Sequence, residues 1–175
     1  LAESTSLTLI GGDVSSEFSI FELFVKMLRK LAGSGRRTFV FVLGNHELWN
    51  FPGLSVDEIV DKYRTVLKEN GMYLLHNDLF YRNESDDMGI IPYDELIQSD
   101  NPAILEKLRC TRLVILGGLG FSGYNEEFNA NDGVYRATVD RNTEIQESKK
   151  FEQLYDKLTD VLAKKNTVIF THTPK

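Results

Sequence analysis

Thr38-Phe-Val-Phe-Val-Leu-Gly-Asn-His-Glu47 is the stretch on which the fold turns. From Thr38 to Leu43 it is β-branched, aromatic or leucine with no alternation, as in a strand buried on both faces of a sheet. At Gly44 the run stops, and an amide, an imidazole and a carboxylate occupy the next three positions. Ligands of open α/β sheets bind beyond the carboxyl ends of strands, so the residues just past each strand are where chemistry is sought.

Upstream, Leu7 to Ile10 reads as a buried strand leading into Gly11-Gly12-Asp13. Ser19 and Glu22 form a capping box for the next helix, with Phe18 and Leu23 as its staple. Phe21, Phe24, Val25 and Leu28 come at helical spacing, and Gly33-Ser-Gly35 ends the helix. Downstream, Ser55 and Glu58 form a second capping box, Leu54 and Ile59 a staple, and Ile59, Val60, Tyr63, Val66 and Leu67 an apolar stripe. Gly71 stands at a left-handed stop.

Met72 to Leu75 and Leu79 to Arg82 read as two strands around a His76-Asn77-Asp78 turn, with antiparallel pairing. Residues 83–111 read as a polar, irregular insertion with one short helix opening at Asn101-Pro102. Arg112 to Gly117 is a strand, and Val134 to Val139 an extended segment in a loop-rich stretch. Thr143 and Gln146 cap a helix with the stripe Phe151, Leu154, Tyr155, Leu158, Val161 and Leu162. Thr167 to Thr171 closes as a strand. Strands alternating with amphipathic helices specify an α/β fold, here a layered α-β-β-α sandwich of mixed sheets.

The chain is 175 residues long, a length suited to one domain over 1–175. Twenty basic against twenty-six acidic residues give a net charge of −6, which disfavours a nucleic-acid partner bound through its phosphates. Phe39 to Leu43, the longest clean apolar run, is far short of the roughly 20 residues of a membrane helix. The lone Cys110 excludes an internal disulfide and fits a reducing compartment, so the expectation is a soluble cytoplasmic protein; Cys110 reads as a buried structural thiol.

Three strand ends carry ligand-type side chains: Asp13, then Asn45 with His46, then His172. Taken singly, a turn aspartate, a loop histidine and a strand-end histidine are the ordinary readings. Together they point to a divalent metal site, since carboxylate and amide oxygens suit Mn²⁺, Mg²⁺ or Ca²⁺ and imidazole suits Zn²⁺, Fe or Mn²⁺. No thiolate lies near, which argues against a zinc finger. His76, in a tight turn, reads as structural, and Trp49 and Phe51 as loop packing. The glycine-rich run Gly117 to Asn125 reads first as a tight structural loop. Its functional alternative is a substrate-side wall, with Tyr124, Asn125, Asn131 or Arg136 reaching the ester.

With Gly12-Asp13, Gly44-Asn-His-Glu47 and Thr171-His172 in this order, the sequence resembles the calcineurin-like metallophosphoesterase superfamily. That family's blocks run Asp-x-His, Gly-Asp, Gly-Asn-His-Asp/Glu, a lone His and Gly-His-x-His, each at a strand end. The resemblance implies two divalent ions, Mn²⁺ foremost, with Fe, Zn²⁺ or Mg²⁺ as alternatives. Asp13 would bridge them, Asn45 and His172 would bind the second, and His46 would stand over the substrate phosphate as general acid. The implied activity is hydrolysis of a small phosphomonoester or phosphodiester by metal-activated water. The first block has no counterpart before Leu7 and the last none after His172, so the expectation is a domain continuing beyond both ends. Gly12-Asp13-Val-Ser-Ser lacks the Asp-Arg-Gly continuation of the Ser/Thr protein phosphatases. The rival reading is a non-catalytic protein-binding scaffold on the same fold; a metal-free nucleotide-binding domain lacks its phosphate-loop motif. Oligomeric state is left open.

Overall fold

The computed structural model describes residues 6–33, 37–120, 134–136 and 138–173. They fall into two compact units, one from the described residues of 1–74 and 124–141, the other from those of 75–123 and 142–175.

The first unit is a three-stranded parallel sheet in the order β1-β2-β3. Its elements are β1 (Ser6–Ile10), α1 (Phe18–Ala32), β2 (Arg37–Phe41), a single 3₁₀ turn (His46–Leu48), α2 (Val56–Glu69) and β3 (Tyr73–Leu74). Parallel neighbours need long crossovers, and α1 and α2 supply them. Thr38 to Leu43 is buried throughout, as its unalternating pattern requires. β1, expected to be buried, is not: it pairs only with β2 in the described sheet, and Leu9 is exposed.

Beneath the sheet lies an aromatic cluster. Tyr63, fully buried, meets Phe21 edge-on at 4.6 Å and Phe18 at 5.1 Å, and Phe51 lies 6.0 Å away; such pairs each contribute about 1 kcal/mol beyond area burial. α2 starts as written, with Ser55 and Glu58 in a reciprocal capping box. α1 does not: Glu17 takes the N-cap position without a side-chain cap, and Leu23 is exposed, so no staple forms. Phe18, packed on Tyr63 and Phe51, is drawn into the first turn, which leaves Ser19 inside the helix.

The second unit is a four-stranded sheet in the order β5-β4-β6-β7. It comprises β4 (Asp78–Asn83), β5 (Met88–Ile91), α3 (Tyr93–Gln98), α4 (Asn101–Lys107), β6 (Thr111–Gly118), nearly all of α5 (Arg141–Leu162) and β7 (Thr167–Thr171). β4 is antiparallel to β5 and β6, while β6 and β7 are parallel, joined through α5. Two expectations are corrected. β3 and β4 do not pair with each other but join different sheets. Residues 83–111 are not irregular: they hold β5, α3 and α4, which place Ile91, Leu96, Ile104 and Leu108 in one core with Phe151, Leu154, Leu158 and Val161 of α5.

Further corrections are local. Val134 to Arg136 turns instead of extending, with Arg136 at φ 48°. α5 begins at Arg141, before the expected cap at Thr143. Tyr155 of its stripe is exposed, as is Cys110. No helix among the described residues is long and apolar enough to cross a membrane.

Inside the second unit, Glu147 of α5 is 5% exposed. Its Oε2 lies 3.3 Å from Nε2 of His76, and its Oε1 accepts from Lys150. Burial raises its pKa, the bonds from His76 and Lys150 lower it, and the net position is below the ordinary 4.5. A depressed carboxyl stabilises the fold fully above its unfolded pKa and loses that contribution as pH falls through the folded value. Glu147→Ala should therefore lower the unfolding free energy by about 3 kcal/mol at pH 7. In urea titrations the gap from wild type should narrow as pH falls below the usual carboxylate range.

Candidate functional site

The carboxyl ends of β1 and β2 come together through two glycines. Gly12, at φ 84°, lies so close to the next strand's exit that a Cβ there would meet the Gly44 nitrogen at 2.3 Å. A Cβ on Gly44 would meet Oδ1 of Asp13 at 2.1 Å. Backbone therefore lies directly on backbone, and Asp13 lies across the space that a side chain at 44 would fill.

Asp13 itself has φ 56°, rare for a residue with a Cβ. Its backbone and side chain are both engaged. Asp13 N donates to Glu47 Oε2 at 2.9 Å, and Asp13 Oδ1 accepts from His46 N at 3.1 Å. Glu47, wholly buried, takes three further backbone donors: Gly44 N at 2.7 Å on Oε2, and Val14 N at 2.6 Å and Ser15 N at 3.2 Å on Oε1. Tyr63 anchors the same residue from below, its hydroxyl donating to the Glu47 carbonyl at 2.9 Å. Burial, then the nearby Glu47 and Glu17 charges, push the Tyr63 phenol well above its ordinary pKa, so it remains a donor.

Asn45 Nδ2 donates to the Val134 carbonyl at 2.8 Å, which the Trp49 indole also reaches, at 2.7 Å. With its nitrogen donating there, the oxygen is the atom of this amide whose chemistry suits a cation. The His46 ring lies beside these groups, its Nε2 3.8 Å from Asp13 Oδ2, beyond hydrogen-bond reach. In a 3₁₀ turn residues i and i+3 eclipse, which brings the Trp49 ring to 3.7 Å from the His46 ring. The Arg136 guanidinium lies 3.6 Å from the same indole centroid. One planar group fits each face at that distance, so Trp49 is layered between His46 and Arg136.

The fold thus brings Asp13, Asn45 and His46 together in the first unit, with Arg136 one ring away. His172 belongs to the second unit. It comes directly after β7, and the next residue, Thr173, donates its N–H to the Leu119 carbonyl just past β6 at 2.9 Å. Gly120, at φ 72°, packs tightly there, since a Cβ would meet Thr171 and the Thr173 carbonyl at 2.6 Å. The expected substrate residues Tyr124, Asn125 and Asn131 lie outside the described residues. The donors Asp13 and Asn45 fit a hard divalent cation by type. Among the described residues no group of three or more His, Cys, Asp or Glu could hold a metal.

Glu47 and Trp49 carry more of the site than their sequence positions announce. A weak signal exists for Glu47: its carboxylate reaches back to the N–H three residues earlier, as the glutamate of a capping box does.

A family model described as calcineurin-like phosphoesterase matches residues 2–175. Among solved structures, the phosphopantetheinyl hydrolase from Mycobacterium tuberculosis is similar at 16% identity and a TM-score of 0.50. The match covers 98% of this chain but only 59% of that one, and at that identity it speaks to the fold alone. No curated protein matches the sequence.

Either glycine should resist substitution. Gly12→Ala and Gly44→Ala should each lower stability by about 2 kcal/mol, from left-handed strain at the first and displacement of Asp13 at the second. Thermal melts monitored by circular dichroism check this, and unchanged midpoints would mean the two strand ends do not meet as described.

Proposed function

Because the chain belongs to the calcineurin-like phosphoesterase family, we propose that it forms the core of a metal-dependent hydrolase of small phosphate esters. The observation that carries this reading is the convergence of the Asp13 carboxylate, the Asn45 amide and the His46 imidazole at two adjoining strand ends.

Asp13 and Asn45 would be ligands of the divalent ions that the family implies, Mn²⁺ foremost, and His172 is proposed as a further ligand from the family pattern alone. When bound, such ions supply positive charge for the phosphoryl oxygens and a water ionised near neutral pH. The chain's own residues supply orientation and a proton. His46, with 41% of its side chain exposed, faces incoming substrate and protonates the leaving oxygen, the general-acid role that an imidazole takes most often. Trp49 packs against that ring at 3.7 Å, tilted by 34°, and restricts its movement, and the Val134 carbonyl fixes Trp49 and Asn45 together. Arg136, its guanidinium over the indole, gives a second positive group for the substrate's anionic side.

A scaffold on the same fold needs no exposed imidazole beside Asp13, which favours the enzyme over that alternative. Hydrolysis of p-nitrophenyl phosphate and its bis-ester by the full-length protein should depend on Mn²⁺. His46→Ala should lower kcat about 100-fold or more. The preferred ester separates monoesterase from diesterase, and no turnover with any divalent metal moves the reading to the scaffold. Arg136→Ala should raise KM about tenfold with a smaller change in kcat; unchanged kinetics would remove it from the site.

A further inference from the structure

Glu47 differs from its neighbours in the Gly-Asn-His-Glu tetrapeptide: it is wholly buried, while Asn45 and His46 are partly open. A buried carboxylate is costly unless its lone pairs are met, and here backbone alone meets them. Val14 and Ser15 donate to Oε1, Asp13 and Gly44 to Oε2. Three of these donors are consecutive, so the N–H groups of 13, 14 and 15 form a concavity of the kind that binds anions. Glu47 fills it. The same bonds fix Asp13 in its left-handed conformation, which costs about 1–2 kcal/mol. With its backbone held by Glu47 and its Oδ1 by the His46 N–H, the Asp13 carboxylate has little freedom left.

We infer that Glu47 is a positioning residue for metal binding: by tying the loop 13–15 to the exit of β2, it sets the direction in which Asp13 offers its carboxylate. The inference rests on the metal-dependent function proposed for this site. It distinguishes two carboxylates in one small site, one open that faces the cation and one sealed that never touches it. Ligand-orienting partners of this kind change metal affinity about 10- to 100-fold when removed.

Glu47→Gln is the sharpest change. It keeps size and shape but turns one oxygen into an NH₂ that faces two N–H donors. Glu47→Asp keeps both oxygens and the charge on a stem one methylene shorter. Glu147→Ala, in the other unit, controls for destabilisation alone. Mn²⁺ alone is titrated calorimetrically into full-length wild type and each variant, with far-UV circular dichroism to establish folding. Glu47→Gln should bind Mn²⁺ at least tenfold more weakly, Glu47→Asp should fall between it and wild type, and Glu147→Ala should bind as wild type does. Wild-type affinity in folded Glu47→Gln would overturn the inference. Should that variant not fold, Glu47→Asp decides: weaker binding supports the role, and wild-type affinity sinks it. Absence of Mn²⁺ binding by the wild-type protein would instead overturn the metal-dependent reading, and a metal-positioning role with it.

Discussion

Four backbone N–H groups converging on one sealed carboxylate hold the ends of two strands together. Hydrogen bonds to a charged acceptor are stronger than neutral ones, and those sealed from water are stronger still. The remaining features of the first unit's site depend on that closure. Glycines stand at 12 and 44 because the segments so joined touch backbone to backbone, and Asp13 accepts a strained φ because three consecutive N–H groups must face one way. Tyr63 then ties the clamp to the aromatic core, so the site and the fold share one anchor.

The sequence is most readable where local chemistry and tertiary packing agree. Ser55 and Glu58 cap α2 as their spacing says, and each residue of its stripe is buried. The same motif at Ser19 and Glu22 does not cap α1, because Phe18 has a larger apolar surface to hide than the serine has bonds to make. The short strands after Gly71 are legible, but their partners are not: adjacency in sequence suggests a hairpin, whereas β3 continues a parallel sheet and β4 enters another. Residues 83–111 look loop-like because their apolar residues are sparse, yet those few are the ones placed in a core.

The candidate site divides in the same way. Asp13, Asn45 and His46 are legible because a strand end exposes the residues that come after it. Their supports are not, since each depends on contacts across long sequence separations: Glu47 with the 13–15 loop, and Asn45 and Trp49 with the Val134 carbonyl. Arg136 stands out in sequence only as a cation in a loop, without any sign that an indole would be its seat. Cys110 reads as a buried thiol by the average behaviour of cysteine, but it sits at an exposed turn after α4.

Trp49 is the only tryptophan in the chain. An excited indole is strongly dipolar, so its emission shifts with charge close to the ring, and a protonated imidazole in contact quenches it. Layered between His46 and Arg136, this fluorophore samples one spot in the whole molecule. The protein thus carries an intrinsic optical gauge at its candidate site, sensitive to the charge of the histidine and to displacement of the guanidinium, and needing no attached dye.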